Sequence, residues 1–549
     1  MGNFRAHIQL FSYIYLLMVI NRKFQLLSGL SLLCLLLTLH DLKGQSNLSL
    51  NTYNSWTIHQ LYKQDSIVFT TWKPILYIDT AAQHFEGSWA KRKLFHEHLL
   101  ILQKPGFNIY GDIISDTYIG SSNRTIPTSN GKRSSKNPSM NSRGYRIFGN
   151  AGTKLWFETE FYENQGKFPA YVDSIIRRNR SVPGQPLYKN VGDAQGIDYN
   201  YSTARLVYMP NEHFLFDLGY GKNFIGDGYR SLMLSDWAFN YPYLRISATW
   251  NKLRYSLMFS QYVSEVPRGR DTIERNRIGY KRKWGQTFLL DWNIHKKFTV
   301  SLFETVMWPD QDSMRRKDVN YSMFSPIMFA HGSKSPSGIS NNMMAGLNAS
   351  YRVVKGTTIY AQAVADNLGS SGTWKSRYGL QLGVRSTDVL TPGLNLLAEF
   401  NTARPYMYAT SSVNTNYSHL NQPLAHPLGA NFREGIFIAD YSYKRFWFRL
   451  ELLVSKYGDD STSLHNYGRD IFKNIATRSA EDDVKMLQGV KSDLLFGDFK
   501  AAYILNDKTN MRIEAGLTLR NDKNSLRTYK DRFFYIGLRS SFRNLFYDF

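Results

Sequence analysis

Two stretches carry the residue types and spacing that could do chemistry. The first runs Gly219-Tyr220-Gly221-Lys222-Asn223-Phe224-Ile225-Gly226-Asp227-Gly228-Tyr229-Arg230-Ser231-Leu232-Met233-Leu234-Ser235-Asp236 and is followed by Trp237, Phe239, Tyr241 and Tyr243. Glycines alternate with large aromatics, so the backbone can turn tightly between rings. Rings beside Asp227, Arg230 and Asp236 suit a surface that stacks on apolar sugar faces and bonds hydroxyls. They suit equally a loop folded inward as packing. A phosphate-binding reading fails, because no Gly-Lys-Ser/Thr follows the glycines. The second stretch is Gln422-Pro423-Leu424-Ala425-His426-Pro427-Leu428-Gly429-Ala430-Asn431-Phe432-Arg433-Glu434. Two prolines and a glycine stiffen it around His426, which serves either as a ligand contact or as a side chain satisfying nearby backbone.

Catalysis has little support. His331, His419, His426 and His465 are scattered over long connections, and no serine nucleophile motif stands out. His96-Glu97-His98 lacks the i, i+4 spacing that puts two metal ligands on one helix face. The sequence therefore reads as a non-enzyme with no cofactor or metal.

These stretches need a scaffold, and the scaffold is legible in period-two alternation. Tyr378, Leu380, Leu382 and Val384 alternate with Arg377, Gly379, Gln381, Gly383 and Arg385. The same pattern sets Phe446, Phe448, Leu450, Leu452 and Val454 against Arg445, Trp447, Arg449, Glu451 and Ser455. It also sets Met511, Ile513, Ala515, Leu517 and Leu519 against Arg512, Glu514, Gly516, Thr518 and Arg520. One face can touch lipid; the other carries charges that belong in a wet lumen. Eighteen segments of about ten residues are expected: 107–119, 143–149, 153–163, 198–209, 212–221, 241–250, 253–263, 283–294, 297–307, 342–353, 357–367, 376–386, 393–402, 433–443, 445–456, 491–504, 509–520 and 531–542. Tight turns such as Asn251-Lys252 and Lys355-Gly356 alternate with long connections at 164–197, 222–240, 308–341, 403–432 and 457–490, the short-inside, long-outside rhythm of outer-membrane barrels. The expected fold is all-β: a transmembrane antiparallel barrel of about 18 strands at 107–549, its lumen plugged by 222–240 and 403–432.

Composition agrees. Aromatics make up 15%, with 36 Tyr and 34 Phe, yet mean hydropathy is −0.38. Such a chain spreads its apolar residues one in two along strands. Asn21-Arg22-Lys23, the apolar run Leu26 to Leu39 and Leu42-Lys43-Gly44 have the order of a signal peptide over 1–44, with Met18 as an alternative start. The only cysteine, Cys34, falls within that run, so the exported chain has no thiol for a disulfide or a zinc site. Net charge is +23, and removal of four Lys/Arg and one Asp with the signal leaves +20. This balance suggests an anionic partner, and export argues against nucleic acid. The basic runs Arg177-Arg178, Lys281 to Lys283 and Arg315 to Lys317 fall in loops and read as solvated or paired with lipid phosphates. Residues 45–106 read as a small periplasmic segment with a strand-like Ser66 to Ile78 and an amphipathic helix over Ala90 to Leu102. Residues 120–142 read as a mobile loop. Phe549, after Phe546 and Tyr547, resembles the aromatic end of a barrel's last strand.

The two opening stretches, with the downstream Tyr-Pro-Tyr-Leu-Arg at 241–245, resemble the Wzi-type capsule-assembly family, and most closely its Bacteroidetes branch, which bears the gliding-motility name RemB. The resemblance covers roughly Ser66 to the C-terminus. It implies an eighteen-stranded outer-membrane barrel with an occluded lumen, whose outer loops hold capsular polysaccharide. Trp237 departs from the small polar residue expected after Leu-Ser-Asp. The contacts expected with polysaccharide are Asp227, Tyr229, Arg230, Asp236, Tyr241, His426, Arg433 and Glu434. The expected partners are a surface polysaccharide, acidic in keeping with the charge, together with outer-membrane lipid and lipopolysaccharide. The alternatives are a structural component of gliding or adhesion machinery, with motility proteins as partners, and a diffusion pore.

Overall fold

The computed structural model describes residues 46–48, 69–77, 87–127, 131, 134–192, 195–264, 280–310, 324–330, 341–366, 377–412, 414–479 and 484–549. The signal segment 1–44, His331 and the basic run 315–317 lie outside them.

Eighteen antiparallel strands close into one barrel. They are β1 Phe107–Ser122, β2 Ser139–Ala151, β3 Leu155–Lys167, β4 Gly196–Tyr208, β5 Phe214–Gly221, β6 Tyr241–Trp250, β7 Leu253–Val263, β8 Arg282–His295, β9 Phe298–Pro309, β10 Asn342–Val354, β11 Thr357–Asp366, β12 Arg377–Ser386, β13 Leu394–Ala403, β14 Phe432–Tyr443, β15 Phe446–Asp459, β16 Val490–Asn506, β17 Met511–Asn524 and β18 Thr528–Arg539. Each pairs with its neighbour in sequence, and β18 closes on β1 from Phe533↔Ser122 to Arg539↔Asp116. All eighteen expected segments are strands of this wall. Alternation sets the facing: Leu380, Leu452 and Leu517 are exposed on the outside, while Arg377, Arg449 and Glu514 are buried inside. Arg449 lies 3.2 Å from Asp440, and Arg512 lies 2.7 Å from Glu514, so the inward charges are paired. Tight turns at the short-turn end place Asn251 and Lys444 at positive φ, as two-residue hairpins require.

The seam between the first and last strands departs from expectation. Beyond Arg539, where β18 was expected to run to 542, the chain leaves the wall. Ser540 N donates to Ser115 O at 2.8 Å, and residues 541–549 turn into the lumen. Phe549 is thus no strand end: its ring packs 5.2 Å from Trp237 and 6.0 Å from Tyr171. Below this departure the freed edge of β1 is covered by the strand Leu100–Lys104, paired from Leu100↔Gly111 to Lys104↔Phe107. The helix expected over 90–102 is accordingly only α1, Trp89–Phe95, capped by Ser88. Asn506 of β16 holds it by donating to Lys93 O and Glu97 O at 3.1 and 3.0 Å.

Three further segments differ from the sequence reading. Residues 69–75 were assigned to the periplasm with the rest of 45–106, yet they thread the lumen: Trp72–Lys73 pairs with Phe224–Ile225, and Arg245 of β6 donates to Pro74 O. The 120–142 loop is shorter than expected because β1 and β2 run on to Ser122 and Ser139. Finally, 324–330 lies against the outside of the wall. Phe324 packs 5.2 Å from Phe259, Ser325 O accepts from Gln286, and Phe329 N donates to the outward Glu304 at 2.5 Å. That contact satisfies a carboxylate which would otherwise meet lipid.

Candidate functional site: a sealed lumen and an open rim

The lumen is filled. Residues 223–227, 230–241 and 415–426 are buried without interruption. As expected, both long loops fold inward. Part of the loop 164–197 joins them through α2, Ala170–Asn179, which buries Tyr171, Val172 and Ile176. The tail 541–549 completes the fill.

A single circumferential row of inward side chains grips this plug. Strand register sets Arg254, Asp291, Ser301, Asn348, Gln362, Gln381, Asn401, Glu434 and Ser455 opposite one another across β7 to β15. Their donors and acceptors meet the loop backbone and its charges. Asn348 donates to Asp227 at 2.9 Å. Gln362 accepts from Leu232 N at 3.0 Å and donates to Ile225 O at 3.1 Å. Gln381 donates to Arg230 O at 2.9 Å. Beside the row, Glu399 of β13 accepts from Tyr229 N, Arg230 N, Tyr360 Oη and Asn401 Nδ2 at 2.7–3.1 Å. A Cβ on Gly228 would collide with that carboxylate, and one on Gly226 (φ 141°) with Gln362. This is the physical reason for glycine at both positions.

The sequence-nominated residues are the bolts of this lock. Arg230, 4% exposed, lies 2.8 Å from Asp548 and 3.6 Å from Glu434. Burial opposes its charge, but the two carboxylates outweigh burial and hold it above the usual arginine value. Tyr229 Oη donates to Asp548 at 2.8 Å, and burial raises that phenol well above its ordinary value. His426 is fully buried; its Nδ1 accepts from Leu428 N, so Nε2 carries the proton and donates to Glu434 at 2.7 Å. Burial lowers its pKa in spite of Glu434. Asp236 accepts from Asn544 at 2.9 Å and is raised by burial; Lys222 donates to the Asp236 and Gly184 carbonyls and is lowered to about 8, also by burial. Tyr241 Oη accepts from Asn223 N. Asp227, Tyr229, Arg230, Asp236, Tyr241, His426 and Glu434 therefore lie inside the barrel, all buried except half-buried Tyr229. Arg433 is separated from them. It is exposed on the outer face of β14, because strand alternation turns it opposite to Phe432 and Glu434.

An open site lies at the long-loop end, and sequence reasoning missed it. A cavity of about 270 Å³ opens between α2, the plug and the tips of β15–β18. Its floor is Trp237, Leu428 and Phe549, and its walls carry Arg124, Arg178, Arg469, Arg520 and Arg527 with Tyr457 and Tyr529. The arginines stand on aromatic faces: Arg469 is 3.7 Å from the Tyr457 ring centroid, and Arg124 is 4.5 Å from that of Tyr529. Asp459, Asp522 and Asp531 pair with several of them: Arg527–Asp459 at 2.9 Å, Arg520–Asp522 at 3.2 Å and Arg124–Asp531 at 2.7 Å. Five arginines face these three carboxylates and the terminal carboxyl of Phe549, whose oxygen accepts from Arg520 Nε at 2.8 Å, which leaves a cationic excess of one at a mouth lined by rings. Only the run Arg177-Arg178 hinted at it; the other four arginines sit singly in separate strands and loops.

His419, like His426, is spent on holding the plug. His419 Nδ1 accepts from Val263 N, and Nε2 donates to Asn240 O, both at 3.0 Å. Among the described residues no group of three or more His, Cys, Asp and Glu is placed to hold a metal ion.

A closed eighteen-strand wall, an outward apolar face and inward paired charges define the class: this is an outer-membrane β-barrel. No family model matches the chain, and no curated protein matches it. Among solved structures it is similar to Wzi of Escherichia coli, described as an outer-membrane protein involved in group 1 capsule assembly and a carbohydrate-binding β-barrel. That likeness has a TM-score of 0.50 at 10% identity, over 91% of this chain and 100% of that one. OprD of Pseudomonas aeruginosa aligns at TM-score 0.40 and 7% identity over 82% and 96% of the chains. A BenF-like porin from Pseudomonas fluorescens aligns at 0.42 and 9% over 79% and 99%. At 10% identity the likeness to Wzi shows the fold alone.

Proposed function

We propose that the protein associates with a surface polysaccharide, without catalysis, through the rim cavity of β15–β18. One observation carries the reading: a cavity of about 270 Å³ at the long-loop end combines arginine excess with aromatic faces, above a lumen that is filled. Rings stack on sugar faces, and guanidinium groups take carboxylates or phosphates of an acidic repeat. Weak contacts repeated along a polymer add up. A diffusion pore fits less well with a lumen entered by five inward segments. The carbohydrate-binding, capsule-assembling character of the similar E. coli barrel supports the reading.

The test is retention of acidic polysaccharide by purified protein carrying Arg527→Ala and Tyr529→Ala. Loss of binding by at least about tenfold, equivalent to roughly 1.4 kcal/mol, with unchanged heat-modifiable gel mobility, is the expected result. Unchanged retention by the double variant overturns the cavity as the site. A deletion strain that keeps its polymer but loses surface movement replaces the reading with a motility scaffold.

A further inference from the structure

The outer faces of the same strands carry a second basic feature. Arg433, Lys456, Asp493 and Lys523 lie opposite one another on β14, β15, β16 and β17, all pointing outward and exposed. Neighbouring strands are ~4.8 Å apart, so these side chains form one lateral row. On β18, Thr528 is in register with Lys523, and outward Lys530 and Arg532 follow two and four residues nearer the barrel middle, on either side of inward Asp531. Among the described residues Arg433, Lys523, Lys530 and Arg532 have no carboxylate within ion-pair distance; Lys456 faces Asp493 at 3.7 Å, both ends exposed. Two residues further along the strands, about 7 Å nearer the barrel middle, stand exposed Val454 and Leu495, with Phe437, Leu519 and Phe534 close by. The row thus caps the apolar band where lipid headgroups sit. The outward positions in register with Arg433 on β10–β13 are Leu347, Ala363, Leu380 and Thr402, with no cation.

We propose that this row is a docking site for the phosphorylated headgroup of an outer-leaflet glycolipid, its acyl chains lying on the apolar face of β14–β18. Free cations at the edge of an apolar band match a ligand with phosphates above hydrocarbon. A soluble anionic polymer has no use for the band, and the other outward cations at this end stand singly, as Arg282 does on β8, or paired, as Arg143 is with Glu163 at 2.9 Å. The inference is independent of the polysaccharide reading, since the row faces away from the rim cavity.

The experiment reconstitutes the full chain in nanodiscs containing either bis-phosphorylated lipid A or the same lipid stripped of phosphate, and counts lipid retained after detergent extraction by native mass spectrometry. The wild type is expected to retain the phosphorylated lipid about tenfold better, and less so at high salt. The variant Arg433→Gln, Lys456→Gln, Lys523→Gln, Arg532→Gln is expected to lose that preference while keeping polysaccharide binding. Equal retention of both lipids by the wild type, or an undiminished preference in a folded variant, overturns the proposal. If the variant does not fold, the wild-type comparison of the two lipids across salt decides it. Displacement by millimolar inorganic phosphate with no dependence on acyl chains marks a simple anion site and also overturns it.

Discussion

The barrel has two sectors that handle polarity in opposite ways. Across β7 to β15 the inward side chains at one height are mainly amides, hydroxyls and single carboxylates, and they are spent on the plug backbone: Gln362, Gln381 and Glu399 reach Leu232, Arg230 and Tyr229. Across β15 to β18 the tips of the wall instead carry arginines on rings inside and unpaired cations outside. The first sector closes the lumen; the second leaves charge at the surface. Buried amides cost little to desolvate once bonded to backbone, whereas guanidinium groups keep their value at an edge that water and anions can reach. Function in this barrel is thus read at the open sector, and the motif-rich loops serve the closed one.

The largest expected way to break the closed sector is Arg230→Ala. It leaves Asp548 and Glu434 buried without their cation, a change on the order of 3–5 kcal/mol. The wall should still form, with normal heat-modifiable mobility, while single-channel recording shows conductance that the wild type lacks. A silent bilayer with the variant contradicts the lock. Gln381→Leu is the smaller test. It strips the donor from Arg230 O and from Asn401 Oδ1, at about 1–3 kcal/mol for groups left unsatisfied. Hydrogen exchange over 222–240 should speed up accordingly, while polysaccharide binding at the rim stays within twofold, roughly 0.4 kcal/mol. Equal loss at both places would mean the sectors are not separable.

The wall was legible because each strand states its facing locally: period two needs no partner, and all eighteen segments carried it. The inward folding of 222–240 and 403–432 was legible from glycine, proline and aromatic content. Three things were not. The gripping row depends on the register of eight strand pairings, which no single strand encodes. The seam depends on Ser540 turning inward at Ser115, though residues 541–549 carry the aromatics of an ordinary last strand. The rim cavity gathers Arg124, Arg178, Arg469, Arg520 and Arg527 from separate strands and loops, so no local spacing announces it. The nominated residues Tyr229, Arg230 and His426 were singled out for the chemistry that makes them good bolts, since a buried ring, guanidinium and imidazole must each find partners.

The last and smallest effect is a pH dependence confined to the closed sector. His419 is held at about 3 by burial, with Lys283 nearby acting in the same direction and the Asn240 carbonyl opposing; His426 is lowered as well. Both are neutral in the folded plug and take up protons near pH 6.5 once exposed. Their folded pKa values are depressed, so the stability they represent is complete above about pH 6.5 and is lost as pH falls below it. The slope is at most about 1.4 kcal/mol per pH unit for each histidine. Asp236, raised by burial, acts in the opposite sense as pH falls toward the carboxylate range, so between roughly pH 5 and 6.5 the histidine contribution is read as the difference between the wild type and His419→Gln. Lys73 and Lys222, lowered to about 8 by burial, are charged in both states throughout that window. Hydrogen exchange in 222–240 and 415–430, corrected for its intrinsic pH dependence, should therefore report easier opening at pH 5.5 than at pH 7. His419→Gln, which retains a donor for Asn240 O, should flatten the slope by about half, on the reckoning that each histidine contributes equally. Arg527→Ala at the rim should leave the slope unchanged. A slope that survives His419→Gln in full, or that vanishes with the rim variant, would show that acid acts on the barrel as a whole and not through the histidines of the plug.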